Sequence, residues 1–329
     1  MGVRIAGVGA YVPSKTVTNN ELAQRVDTSH EWIAAKTGIL ERRVSGPDEA
    51  PSDMAVHAAT RCLTSAGVDK LAVDLIVVAC ATPDQSQPAT ACLVQAKLGI
   101  SERQCPAFDV NSVCAGFVFA LNVAQGMMLT DRARYQNVLV IGTDTFSKIL
   151  NWKDRRTCVF FGDGAGAVLL QQRDDSDLRF HFHLGSDGRG REYIAVPGGG
   201  TRLPISADVI EKRLNKFVMN GPKVWEFAVN TVPETIRSLL REHDLVPSDL
   251  DLLILHQSNL RMLEAIMTSL ELPMSKTVTT VETYGNTAAA SIPLTLQKAW
   301  EEGRLKAGTK IMLCGFGGGL SWGAALFDW

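Results

Sequence analysis

The chain lacks the usual marks of several function classes. Its seven cysteines, at 62, 80, 92, 105, 114, 158 and 314, contain no Cys-x-x-Cys pair. That removes zinc-ribbon and dithiol redox motifs. An odd, scattered set in 329 residues argues against a disulfide scaffold and for a reducing compartment. No basic segment followed by an apolar stretch opens the chain, so no secretory signal is expected. Gly2 is not followed by Ser or Thr where a myristoylation signal needs one. Asp, Lys or Arg is expected to interrupt every apolar run before membrane-spanning length, so no membrane partner is expected. A formal net charge of −2 gives no basic footprint for nucleic acid. These absences describe a cytoplasmic globular protein.

Three further signals are incomplete. Gly7-Val-Gly9 has Val12 where a dinucleotide fingerprint needs its third glycine. Phe161-Gly-Asp-Gly-Ala-Gly166 lacks the Lys-Ser/Thr of a phosphate loop and reads as a close-packed turn. His181 and His183 have alternating strand spacing but no third ligand, so neither metal nor cofactor is expected.

What is present centres on Cys114. Ala107-Phe-Asp-Val-Asn-Ser-Val-Cys-Ala-Gly116 reads as a buried strand and a turn, and Phe117, Leu121, Ala124 and Met128 then recur at helical spacing. A cysteine at a helix N-terminus faces the positive end of the helix dipole, which favours thiolate. Small Ala115 and Gly116 let a substrate reach the sulfur and leave backbone N–H groups free for an anion. A free cysteine is more often a packing residue, so partners elsewhere have to decide.

An internal repeat supplies them. Gly67–Ala79 resembles Leu245–His256, Phe108–Gly116 resembles Val281–Ala288, and Asn137–Thr143 resembles Lys310–Phe316, all offset by roughly 175 residues. Apolar strands alternating with helices predict parallel sheets covered on both faces. The chain thus divides into similar α/β halves, 1–173 and 174–329, joined near the polar stretch Gln171–Asp177. The repeat puts Asn286 at nearly the position of Cys114, and His256 at the end of a second-half strand. Parallel sheets carry their sites at the carboxyl ends of strands, so Cys114, His256 and Asn286 are expected in one cleft. A lone His after a strand is more often structural. Gly315-Phe-Gly-Gly-Gly-Leu-Ser-Trp-Gly323 suits both a hairpin and an oxyanion hole.

With these residues in place, the chain resembles β-ketoacyl-[acyl-carrier-protein] synthase III condensing enzymes from end to end. The resemblance rests on Gly7–Pro13, Glu31–Ile33, Lys36–Ile39, Asp109–Phe117, Phe161–Gly166, His256–Arg261, Gly285–Ser291 and Gly317–Gly323, in order. It implies an internally duplicated thiolase-like fold with αβαβα layers and parallel-rich mixed sheets. It implies that Cys114 takes an acyl group, with the N–H groups of Cys114 and Gly318 holding the oxyanion. His256 and Asn286 then bind a malonyl-type thioester carbonyl during decarboxylation. For CoA it implies Trp32 and Arg155 or Arg156 on the two faces of adenine, Asn259 at the pantetheine, and Lys36 where the family often has Arg. An acidic acyl carrier protein would meet Lys212, Arg213, Lys216, Lys223 and Arg261, although a solvated face explains any one of those charges. The family implies a homodimer.

Some positions depart from the family. Gln87 stands before Pro88 where fatty-acid-initiating members usually carry a bulky aromatic that closes the partner's acyl pocket, and Pro222 stands where Asn is common. The expectation is therefore a condensing enzyme with an unusual starter in polyketide or other specialised metabolism, with fatty-acid initiation close behind. The alternatives are acyl transfer to an oxygen or nitrogen nucleophile without decarboxylation, and a non-catalytic subunit of a condensing complex. A 3-hydroxy-3-methylglutaryl-CoA synthase needs a glutamate that Cys80–Thr90 does not contain.

Overall fold

The computed structural model describes residues 2–174 and 179–329. Five first-half strands form one sheet in the order β1 (Gly2–Tyr11), β7 (Asp163–Arg173), β6 (Asn137–Thr145), β4 (Leu75–Ala79) and β5 (Ala107–Val110). A second sheet has the order β11 (Leu252–Leu255), β12 (Lys310–Gly317), β13 (Ser321–Asp328) and β8 (His181–Ser186). Two short ribbons pair β2 (Thr16–Thr18) with β3 (Glu41–Arg43) and β9 (Ile194–Ala195) with β10 (Val218–Met219).

The helices complete five layers. α3 (Pro51–Ala66) and α4 (Thr90–Leu98) share a buried cluster with the outer face of the first sheet. α7 (Gly221–Arg241) and α8 (Leu260–Ser269) do so for the second. Between the sheets lie α5 (Gly116–Thr130) and α10 (Ser291–Glu301), in a core that takes residues from both. The short helices α1 (Asn19–Ala23), α2 (His30–Thr37), α6 (Ala207–Glu211) and α9 (Val281–Tyr284) sit in the connections.

Sequence explains the layering. β4 and β11 are apolar at every residue and fully buried, as strands with both faces covered must be. α5 carries no charge, and its Phe117, Leu121, Ala124 and Met128 are buried. This corrects the expectation that charges break every apolar run, because Val113–Thr130 is long and apolar enough to cross a membrane. Its composition is that of a helix packed between two sheets.

Other expectations change in detail. Among the described strands, parallel ladders join β4 to β5, β4 to β6 and β11 to β12, and the flanking strands are antiparallel. β5 is a half-buried edge strand rather than a buried one. Gln171–Arg173 continue β7 instead of turning, with Gln171 Nε2 donating to Asn137 Oδ1 at 2.8 Å. Residues 175–178 of the expected join lie outside the described residues. Phe161–Gly166 is not a turn: Phe161 bridges to Asn286, and Asp163–Gly166 begin β7. Val281–Tyr284 is a helical turn rather than a strand, which leaves β11 at the edge of its sheet.

The repeat is visible in backbone conformation. Val113 and Ala288, 175 residues apart, both have left-handed φ, +46° and +49°. Each opens a tight 3-10 turn, Val113–Ala115 or Ala288–Ala290, that runs directly into α5 or α10. Asn111 Oδ1 accepts the Val113 N–H at 3.2 Å, and Asn286 Oδ1 accepts the Ala288 N–H at 2.9 Å. Asn286 therefore corresponds to Asn111, and the counterpart of Cys114 is Ala289.

Candidate active site

The two turns pack against each other at the carboxyl ends of the central strands. Cys114 is 5% exposed, within the 3-10 turn that feeds α5. Backbone from the other half closes on it: a Cβ at Gly317 would lie 2.9 Å from Cys114 Cβ and 3.2 Å from Sγ. Only glycine allows that approach.

His256 follows β11 directly. Its N–H donates to the Cys314 carbonyl at 2.8 Å, continuing the pairing with β12, and its ring stands edge-on to Phe316. Burial lowers its pKa from 6.5 to about 3, so the ring is neutral at ordinary pH. Nδ1 lies 2.7 Å from Ser291 Oγ, at the first residue of α10. With the hydroxyl donating to Nδ1, Nε2 carries the proton. Asn286 is held by its N–H to the Phe160 carbonyl at 2.8 Å and by the Gly162 N–H to its own carbonyl at 3.0 Å. Its Oδ1 is taken by Ala288 N–H, which leaves Nδ2 as its donor.

Cys114, His256 and Asn286 line one cavity of about 210 Å³, together with Lys36 and Asn259. A cavity of about 150 Å³ holds one benzene, so this site admits only a modest group beside the sulfur. One wall of the cavity is aromatic. Phe146 and Phe161 stack at 4.8 Å, and Phe217 meets them edge-on at 5.4 and 4.9 Å. Sequence reading missed this triangle because Phe146, Phe161 and Phe217 belong to three separate segments. Ser291 was legible only as part of the Gly285–Ser291 motif.

Cys114 is not the acidic thiol that its helix terminus suggests. Burial, and then the Asp144 carboxylate, push it up. Burial likewise raises Cys62, Cys80, Cys158 and Cys314. Acidity does not single Cys114 out; it is the one cysteine lining the cavity among the described residues.

Several expected site residues lie outside the cavity. Trp32 is partly exposed on α2, with the Arg155 guanidinium 5.4 Å from its ring, while Arg156 turns away to Asp154. A planar ring between Trp32 and Arg155 needs a spacing of about 7 Å, twice a van der Waals contact, so Arg155 has to swing outward to admit one. Gly318 itself is not in the lining, but Gly317 is, and the Gly318 N–H belongs to the peptide that joins the two. Gln87 is exposed and does not line this chain's cavity.

The basic set carries less free charge than its sequence suggests. Lys212 pairs with Asp208, Lys223 with Glu226 and Arg261 with Glu264. Arg213 bonds Asn151, and Lys216 the Lys148 carbonyl. Asn259 Oδ1 caps α8 through the Met262 N–H at 2.9 Å.

Comparison with known proteins agrees with this geometry. The family model described as 3-oxoacyl-[acyl-carrier-protein (ACP)] synthase III matches residues 108–188, and its C-terminal counterpart matches 240–329. A β-ketoacyl-[acyl-carrier-protein] synthase III of Caldanaerobacter subterraneus is 43% identical over 325 residues, 99% of this chain and 97% of that protein. The crystal structure of 3-oxoacyl-(acyl carrier protein) synthase III from Pseudomonas aeruginosa superposes with TM-score 0.91 at 36% identity, covering 100% and 98% of the two chains. The priming β-ketosynthase of the R1128 polyketide pathway superposes at 0.89 with 31% identity, covering 99% and 96%.

Proposed function

The chain belongs to the 3-oxoacyl-[acyl-carrier-protein] synthase III family of condensing enzymes, and on that premise we propose that it joins a short acyl group to a malonyl-type thioester with loss of CO2. The observation that carries this is the meeting of Cys114, His256 and Asn286 on one apolar cavity, with the Asn286 Oδ1 and His256 Nδ1 already occupied.

The Cys114 sulfur adds to the carbonyl of an acyl-CoA, and the N–H groups of Cys114 and Gly318 receive the oxyanion. Collapse expels the CoA sulfur, which takes the thiol proton, and leaves a thioester on Cys114. CoA then departs and a malonyl thioester enters, so the kinetics are ping-pong. His256 Nε2–H and Asn286 Nδ2–H donate to its carbonyl. As the bond to CO2 breaks, its electron pair moves into an enolate whose oxygen those donors stabilise. The enolate carbon attacks the acyl-Cys114 carbonyl, Cys114 sulfur leaves and regains a proton, and a 3-oxoacyl thioester is released. Trp32 and Arg155 are the adenine contacts, Lys36 and Asn259 serve the arm, and an acyl carrier protein approaches the Lys212–Lys223 side and Arg261.

The aromatic triangle supports a short, unsubstituted primer, as in fatty-acid initiation. The test is a panel of acyl-CoAs with a malonyl thioester, scored by CO2 and 3-oxoacyl product. Acetyl to butyryl donors are expected to prime best, and Phe217→Leu to improve longer donors by about tenfold in relative kcat/KM. CO2-free esterification of an alcohol or amine would establish the acyltransferase alternative. A preference for polar or β-oxo primers that Gln87→Phe, not Phe217→Leu, abolishes would establish the specialised one.

A homodimer is part of this proposal. β5 ends the first sheet with one edge that pairs with no strand among the described residues, beside half-buried Phe108 and Val110. A two-fold pairing there covers that edge. Light scattering is expected to give twice 35.6 kDa, and a monomer at micromolar concentration would end any role for Gln87 across subunits.

A further inference from the structure

Asp144 closes β6 and is fully buried between the two halves. Its carboxylate is held by donors from both halves. Its Oδ1 takes the Ala81 N–H at 2.9 Å, the Thr82 N–H at 3.0 Å, the Thr82 hydroxyl at 2.7 Å and the Cys80 thiol at 3.9 Å. Its Oδ2 takes the Ala289 N–H, 145 residues away, at 3.0 Å. The Oδ1 donors all follow β4, and the Ala289 N–H lies in the turn just after Asn286. Ala289 is the repeat counterpart of Cys114. The carboxylate thus sits on the second-half N–H that corresponds to the N–H receiving the substrate oxyanion in the first half.

The turn beneath it needs an anchor. Ala288 is a left-handed non-glycine residue. The consecutive N–H groups of Ala288 and Ala289 are held by two acceptors, Asn286 Oδ1 and Asp144 Oδ2. If Asp144 lets go, the only side-chain acceptor left on this pair is Asn286's own amide, which is then free to move with the turn.

We infer that Asp144 is a positioning residue for decarboxylation: it clamps the Ala288–Ala290 turn to the loop after β4 and so aims Asn286 Nδ2 at the thioester carbonyl. The inference rests on the condensing function proposed above. The carboxylate has a second, opposite influence. The titratable groups facing it are the Cys80 and Cys114 thiols, and its charge opposes ionisation of both.

Asp144→Asn keeps the shape but turns an NH2 toward either Ala289 N–H or the Ala81 and Thr82 donors. In acylated enzyme, CO2 release from a malonyl thioester is expected to fall about 10- to 100-fold, while acyl-Cys114 formation, read by intact mass, persists. Iodoacetamide alkylation of Cys114 is expected to shift to lower pH, because the opposing charge is gone. Thr82→Val removes one of the four donors on the far oxygen, together with the acceptor of the Thr145 N–H, and leaves the Ala289 contact, so its CO2 release should stay near wild type. CO2 release at the wild-type rate by Asp144→Asn, or parallel loss of acylation and decarboxylation with an unmoved alkylation profile, overturns the inference.

A measurement on the wild type covers the case in which Asp144→Asn does not fold. Burial raises Asp144 from 3.8 to about 6, so CO2 release from pre-acylated enzyme is expected to decline as pH falls through about 6, with His256 still neutral. Protonating a group raised above its unfolded value favours the fold, so Asp144 does not cause acid unfolding. His256 acts oppositely, removing stability below 6.5, and melting is followed at each pH for that reason. A flat profile from about pH 5 to 8 overturns the inference. Wild-type enzyme that releases no CO2 at any pH refutes the proposed function itself, and the positioning role with it.

Discussion

Cys114→Ala is expected to eliminate the acyl-enzyme. After incubation with acetyl-CoA, intact mass should show one acetyl adduct on wild type and none on the variant, with peptide mapping placing it on Cys114. Condensation should fall by at least about a thousandfold, the scale on which loss of a nucleophile is felt. His256 and Asn286 remain, so the variant should still release CO2 from a malonyl thioester. An adduct that persists on Cys158 or Cys314 would refute the assignment, since neither lines the cavity. The pH dependence is part of the same expectation. Burial and Asp144 hold the thiol above its ordinary 9.0, so alkylation should be slow near neutrality. It should then climb about tenfold per pH unit without a plateau below that value. A plateau near pH 7 would mean that the α5 terminus outweighs desolvation.

His256→Ala and Asn286→Ala are expected to separate the two half-reactions. In the proposed mechanism each removes one N–H aimed at the oxygen on which charge develops as CO2 leaves, a loss of roughly 2–4 kcal/mol, or about 30- to 1000-fold in decarboxylation. Self-acylation should be largely retained, because the donors proposed for its oxyanion are backbone N–H groups. Stopped-time mass spectrometry for the acyl-enzyme, with labelled malonyl thioester for CO2, reads both. Condensation at the wild-type rate in either variant would place the decarboxylation site elsewhere. Ser291→Ala should give a weaker form of the His256 defect, because Nδ1 loses its partner and the tautomer is no longer fixed.

Much of this was legible in the sequence. Cys114, His256 and Asn286 follow from strand-to-helix signals and a repeat of about 175 residues, because parallel strands of a duplicated fold end on one side. Periodicity gave β4, β11 and α5 for the same local reason: a strand or helix covered on all sides has to be apolar throughout. Gly317 was legible as a glycine but not as the backbone that closes on Cys114, a contact between halves.

The tertiary structure decided what depends on several segments at once. The register of the repeat matches Asn286 to Asn111 rather than to Cys114, which only the paired left-handed turns reveal. Val281–Tyr284 became helical because strand propensity counts only where a neighbouring strand offers hydrogen bonds. The Cys114 thiol moved opposite to expectation, because a helix terminus can be read locally whereas desolvation and Asp144 come from distant chain. The aromatic wall and the basic patch were decided in the same way. Spacing cannot foretell that three phenylalanines meet beside the sulfur, or that Lys212, Lys223 and Arg261 each find an acidic neighbour. Residue type and period set each element and its chemistry, and packing between the halves sets what each group faces and therefore how strongly it acts.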